Sequence, residues 1–187
     1  MMRRLVLAAL LAGPLAARAQ TPPPRPDPRR VEMDRLFEAL RDAPDEAGGA
    51  LVEARIRALW GEAASPAAVL LRRGIRNMQA NAPDEALEDF DAAIVLSPGA
   101  AEAWHLRAQA HAALGDAAAA ARDLQETLRL EPRHFGALMT LSVLQEERGD
   151  PEGALRSVEA ALALHPRMRG GEQRRTELRR RAFGEEM

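Results

Sequence analysis

The sequence predicts an all-α protein built as a solenoid of helix-turn-helix repeats with helical caps, and three observations carry that expectation. Ala, Leu, Arg and Glu dominate, with only four Phe, two Trp and no Tyr, a mixture whose local propensity favours helix throughout. From Val31 onward no stretch alternates apolar and polar residues, and no Asn-Gly or Asp-Gly pair offers a hairpin turn. Above all there is a period. Pro98, Pro132 and Pro166 recur at one fixed interval, each after an apolar helical run, and Ala86, Ala120, Ala154 and Leu70, Trp104, Leu138 keep the same spacing. Three registers agreeing at one interval mark a repeated unit, long enough for two helices and their turns, that buries a core by stacking on its neighbours. At 47% hydrophobic over 187 residues, the chain can fill such a core without a metal or disulfide.

Residues 1–19 read as a secretory signal. "MMRR" is a charged start, "LVLAALLAGPLAA" an apolar run too short to span a membrane well, and Ala17-Arg18-Ala19 a cleavage site before Gln20. Cleavage after Ala19 and export are expected, by the general secretory route or, through Arg3-Arg4, the twin-arginine route. The absence of cysteine excludes disulfides, thiol catalysis and a lipid-modified N-terminus, so the mature chain is expected to be soluble in the periplasm. Residues 20–30, with five prolines in eleven positions, predict an extended, polyproline-like tether. In residues 31–61, "VEMDRLFEALRDA" places Met33, Leu36, Phe37 and Leu40 on one helical face, and "PDEAGGALVEARIRALW" supplies a second helix. This degenerate pair is expected to cap the array, with Val52, Ile56 and Leu59 packed on the first repeat.

The three periods are assigned to residues 67–100, 101–134 and 135–168, each with two helices. Gly115 and Gly149 are placed to end the first helix of their pairs in the left-handed conformation, with Asp116 and Asp150 capping the second. In the first pair Asn81 replaces the glycine, Ala82 is a poor cap, and Pro83 starts the next helix. Ala86, Ala120 and Ala154 let paired helices approach closely, while Trp104 is expected to fill a large core site. Residues 170–184, "GGEQRRTELRRRAFG" in outline, read as a polar, Arg-rich capping helix.

At these positions the chain resembles the tetratricopeptide repeat family, whose pattern is W-x2-L-G-x2-Y…A-x3-F…P. The first copy matches with Leu70, Gly74, Ala86, Phe90 and Pro98, the second with Trp104, Ala108, Ala120, Leu124 and Pro132, and the third with Leu138, Ala154, Val158 and Pro166. Asn77, His111 and Gln145 stand where the family often has Tyr. The resemblance implies a right-handed α-solenoid of exported bacterial type. It also implies a groove, lined by the first helix of each pair, that holds an extended or helical peptide. Carried over by register, the lining is Leu71, Ile75, Met78, His105, Gln109, Ala112, Met139, Val143 and Glu146. Chaperone-tail binders of the family grip a terminal carboxylate with Lys, Arg and Asn; Leu71 and Ile75 stand at matching positions, which argues against that mode. The same apolar residues also suit cover by the N-terminal helix pair or by a second copy of the chain.

Charge adds to this reading. Residues 31–166 hold 13 Arg against 23 acidic residues, and residues 167–187 hold seven Arg against four Glu. An acidic body with a basic tail argues against nucleic acid. His105, His111, His134 and His165 show no metal-ligand spacing and read as isolated surface or groove residues. No serine lies in a nucleophile elbow, and Gly48-Gly49 and Gly170-Gly171 form no phosphate loop. Glu85, Glu88, Asp89 and Asp91 read as a solvated helix face, and the tail arginines Arg174, Arg175, Arg179, Arg180 and Arg181 as a solvated cap. The sequence therefore predicts no catalytic residue, metal or cofactor. It predicts a non-catalytic protein-protein interaction scaffold of the bacterial cell envelope, the envelope by fold-level analogy. Its partner would be an unidentified envelope protein buried against Leu71, Ile75, Met139 and Val143, with His105, Gln109 and Glu146 setting orientation; the alternative is a self-associating, homo-oligomeric envelope protein. No nucleic acid and no stable membrane insertion after signal cleavage are expected.

Overall fold

The computed structural model describes residues 27–63 and 67–184. The expected signal sequence and residues 20–26 of the proline-rich tether lie outside the described residues. Helix α1 (Pro28–Arg41) begins ahead of the expected start at Val31. The local chemistry explains the shift: the Asp27 carboxylate accepts a hydrogen bond from the Arg29 amide at 3.0 Å, and Pro28 occupies a first-turn position where its missing N–H costs nothing. The tether assigned to 20–30 thus gives Pro28, Arg29 and Arg30 to the helix. After α2 (Glu46–Ala63) come α3 (Ala68–Gln79) and α4 (Pro83–Leu96), α5 (Ala101–Ala113) and α6 (Ala117–Leu130), α7 (Phe135–Glu147) and α8 (Pro151–Leu164), then α9 (Gly171–Phe183). Among the described residues there is no strand, and no helix is long and apolar enough to cross a membrane.

The turns within the three pairs are built as the residues require. Asn81, Gly115 and Gly149 have φ of 58°, 81° and 77°, the left-handed region in which a β-carbon is penalised. Asp116 and Asp150 each accept a backbone hydrogen bond at 2.8 Å, from Ala119 and Gly153, whereas Ala82 makes no side-chain cap.

Between the helices of each pair, Ala86, Ala120 and Ala154 are fully buried beside the buried Phe90, Leu124 and Val158. Gly74 sets the closest approach: a β-carbon there would lie 2.4 Å from the Phe90 ring. Trp104 departs from expectation. It is only partly buried at the margin of the core, its indole N–H donates to the Pro98 carbonyl at 2.9 Å, and the Arg107 guanidinium lies 4.8 Å over its ring. The large core positions are the ones held by Phe90, Leu124 and Val158.

A polar ladder runs through the same register. Asp89 and Asp123, one repeat apart, are buried and bound by Arg73 and Arg107. The Arg107 fork donates to both Asp123 oxygens, at 2.8 and 2.7 Å. The positions where the family often has Tyr complete it: Asn77 donates to Asp89 at 3.2 Å, and Ser157 donates to Gln145 at 2.6 Å. The acidic cluster of α4 is therefore no uniform solvated face, because Asp89 is buried and committed to Arg73 and Asn77, while Glu85, Glu88 and Asp91 are exposed.

At the C-terminal end, α9 buries Leu178 against Leu155, Val158 and Leu162 of α8. Arg174 reaches back to α7, donating to Ser142 at 3.1 Å and Glu146 at 2.9 Å.

Candidate functional site

The α1–α2 hairpin borders the first repeat through α2 and α3 but does not bury its core there, as its place in the chain suggested. It lies across the face made by the first helices α3, α5 and α7, and its core partners belong to the third repeat. Met33, Phe37, Leu40, Ile56, Leu59 and Trp60 form one buried cluster with Phe135 and Ala161, flanked by Leu138, Met139, Leu164 and Met168. The reason lies in the side chains. The first repeat offers aliphatic residues already used against α4 and α5, whereas Phe135 offers an aromatic contact for the rings of Phe37 and Trp60, with centroids 6.4 and 5.2 Å away. Arg133 stacks 4.4 Å over Phe37 and pairs with Asp34 at 2.7 Å. Gly49 is explained here too: a β-carbon would sit 2.9 Å from His165 and 3.2 Å from the Arg167 side chain.

The histidines also depart from the surface reading, since His105, His134 and His165 are buried. His134 caps α7, its Nδ1 accepting the Ala137 amide at 3.0 Å. In the neutral ring the proton then sits on Nε2, which donates to Glu102 at 2.8 Å. Trp60 covers the imidazole face to face, 4.1 Å away at an interplanar angle of 9°. Burial pushes the His134 pKa below its ordinary value, with the Glu102 bond opposing. Burial also opposes ionisation of Glu102, but the facing imidazoles of His105 and His134 outweigh it and hold the carboxyl well below the usual range. His105 completes the group: Nδ1 lies 3.7 Å from Glu102, too far for a hydrogen bond, and Nε2 is 3.1 Å from the Thr140 hydroxyl.

These three side chains bring a carboxylate and two ring nitrogens within 4.8 Å of one another, a convergence that spacing alone did not reveal. A metal ion needs a lone pair from each ligand. His134 has none to give at Nε2 while its Nδ1 accepts from Ala137; coordination would cost the α7 cap or demand an imidazolate. The geometry fits a hydrogen-bonded acid–imidazole group better than a cation site. The sequence did contain a signal: Glu102 and His105 lie one turn apart on one helix, and His134 follows nearly one repeat later, which places the starts of α5 and α7 side by side.

With the hairpin in place, two clefts among the described residues contain residues carried over by register. The larger, about 780 Å³, lies between α2 and α3–α5 and is lined by Ala54, Ala58 and Gly61 on one side and Leu71, Ile75 and Leu106 on the other, with Arg57, Arg72, Glu62 and Glu102 completing it. The smaller, about 320 Å³, is lined by Glu53 and Arg57 opposite His105, Gln109 and Met139. The nine residues carried over by register therefore divide. Leu71 and Ile75 face the larger cleft and His105, Gln109 and Met139 the smaller; Met78 and Ala112 pack against repeat cores, and Val143 is exposed but lines neither cleft. Glu146 is ion-paired with Arg174 at 2.9 Å and Arg181 at 2.6 Å, both from α9, and lines neither cleft.

This fold and register define a helical repeat array, and the chain belongs to the tetratricopeptide repeat family, whose profile matches residues 71–124 and 105–169. A TPR repeat-containing protein of Rhizobium etli is 28% identical over 138 residues, spanning 73% of this chain and 68% of its own. Among solved structures, the first TPR of Spaghetti (RPAP3), bound to the HSP90 peptide SRMEEVD, aligns with a TM-score of 0.57 at 20% identity, covering 60% of this chain and 89% of that one. The crystal structure of MamA aligns with a TM-score of 0.58 at 18% identity, covering 83% and 81%.

Proposed function

We propose that this protein is a non-catalytic interaction scaffold, exported to the periplasm, that receives an apolar helix or peptide of another envelope protein in the cleft between α2 and α3–α5. One observation carries the reading. After the hairpin has taken up the aromatic part of the repeat face, an apolar cleft remains in which Leu71, Ile75 and Leu106 face the small side chains of α2. Small residues on one wall allow a partner backbone to approach closely, and apolar residues on the other reward it. That a tetratricopeptide repeat domain can hold a short peptide is supported by the Spaghetti complex. Export rests on the charged start, apolar run and cleavage site of residues 1–19.

The test is affinity capture from envelope extract with wild type and an Ala58→Arg variant. Ala58 is exposed on α2 and faces the cleft, so the arginine fills the space without emptying the core. Loss of specific partners from a variant with an unchanged melt is the expected result. The same partners at the same yield would end the cleft reading. Export is checked separately by fractionating cells that make the full chain: retention in the cytoplasm with residues 1–19 still attached would remove the envelope from the proposal.

A further inference from the structure

We infer that the α1–α2 hairpin is an exchangeable element, seated on the third repeat of its own chain in the monomer and on the third repeat of a second copy in a reciprocal dimer. The inference does not depend on whether the cleft holds a ligand. Its first support is topological. The hairpin's buried core, its aromatic contacts and its ion pairs outside itself fall on residues 133–169, far along the chain, while α2 only borders α3 and α5 along the cleft. Phe37 and Trp60 rest on Phe135, Asp34 pairs with Arg133, and Glu53 meets His165 at 3.1 Å. All of these can be remade unchanged between two chains. Two identical seams related by a two-fold axis close on themselves, which is why exchange of an existing element is a low-cost route to a dimer.

The second support is the quality of the seam. It buries the Trp60 indole N–H and His165 Nδ1 without hydrogen-bond partners, a desolvation cost that the docked state carries and an undocked hairpin does not. Its outer ion pair, Arg133–Asp34, joins side chains 34% and 53% exposed, so water screens most of its attraction. The hairpin is thus held by an apolar and aromatic cluster against a standing polar cost, and a second copy offers the same cluster at the same cost. On exchange, α2 of one copy supplies Ala54 and Ala58 to a cleft whose Leu71 and Ile75 belong to the other.

The cysteine-free sequence makes the test direct. Asp34→Cys and Arg133→Cys chains are purified separately, mixed at several concentrations, and treated with a short bismaleimide; both positions are solvent-accessible. The expected result is a covalent dimer joined between positions 34 and 133, identified by mass spectrometry, that increases with concentration and with time after mixing. It should exceed the yield from Asp34→Cys mixed with Glu152→Cys, which reports random collision. The double variant, Asp34→Cys with Arg133→Cys, should crosslink within one chain at low concentration and between chains at high concentration. Crosslinking within one chain only, with mixed dimers no more abundant than the collision control, would make the hairpin a permanent part of one fold and overturn the inference. Failure of the double variant to crosslink at all would overturn it too, by removing the seam itself. Neither outcome bears on capture of partners by the cleft.

Discussion

The seams between repeats and the seam between hairpin and third repeat are built from different materials. Inside the array, small residues such as Ala86 and Ala120 face Phe90 and Leu124, and the buried aspartates Asp89 and Asp123 are met by arginines that keep the interval of the repeat. Under the hairpin, aromatic rings supply the contact, and two polar atoms, on Trp60 and His165, are left without partners. Stability should follow that difference. The array propagates from neighbour to neighbour with its aspartates paired in register, whereas the hairpin must be recruited from a distant part of the chain at the cost of closing a long loop. On this comparison the repeats should hold together when the hairpin undocks, although Phe135, Leu138 and Met139 are then uncovered.

The sharpest attack on this contrast is Phe90→Ala. Phe90 is fully buried against Gly74, and its loss should cost about 3–5 kcal/mol, read as a lower midpoint for the whole array in denaturant melts. Phe37→Ala should act differently: α1–α2 amides exchange faster and Trp60 becomes solvent-accessible, while the midpoint of the repeats moves by less than about 1 kcal/mol. A concerted collapse of hairpin and repeats would show that the two seams are one. Trp104→Ala comes next. Because Trp104 is only partly buried and bonds Pro98 from the margin of the core, its loss should cost about 1–2 kcal/mol, well under the value for emptying a full aromatic site; a loss equal to that of Phe90→Ala would place it in the core after all.

The same contrast explains what could be read from the sequence. Within the array each feature is local or periodic: Gly115 with Asp116 announces a turn, and Pro98, Pro132 and Pro166 fix a register that the helices follow. The polar ladder is equally periodic, with Arg73 and Arg107, and Asp89 and Asp123, each separated by one repeat. It was hidden because charge on a helix is ordinarily solvated, and an arginine on one helix bound to an aspartate on the next matches no single-helix spacing. The hairpin's destination was not legible. The apolar faces of Met33, Phe37, Ile56 and Leu59 say that the pair must be covered, but not by which repeat. That choice depends on His134 and Phe135 meeting Ala161 and His165 on one surface, a juxtaposition that exists only after α7 and α8 have packed. Leu71 and Ile75 are legible on the open part of the face for the opposite reason, since register alone decides which side of α3 they occupy.

The smallest effect is the most specific to the seam, because it follows one proton. His134 has its pKa depressed by burial beneath Trp60, so as the pH falls through about 6.5 an unfolded chain takes up a proton there that the native state refuses. Stability should therefore decline on acidification, beginning near that value. Glu102 acts in the same direction only later: its carboxyl is held below the usual range, so its contribution persists until the pH falls below about 4.3, where unfolded carboxylates begin to protonate. The window between about 6.5 and 4.3 separates imidazoles from carboxylates, and a variant singles out His134 among the four histidines. His134→Asn keeps an acceptor that can cap α7 and removes the titration, so urea midpoints measured across that window should change less with pH than in wild type. Phe37→Ala should also flatten the profile, by opening the contact that keeps His134 dry. Parallel wild-type and His134→Asn profiles would show that the proton is taken up elsewhere, and a flat His134→Asn profile beside an unchanged Phe37→Ala profile would show that α5 and α7 bury His134 without help from the hairpin.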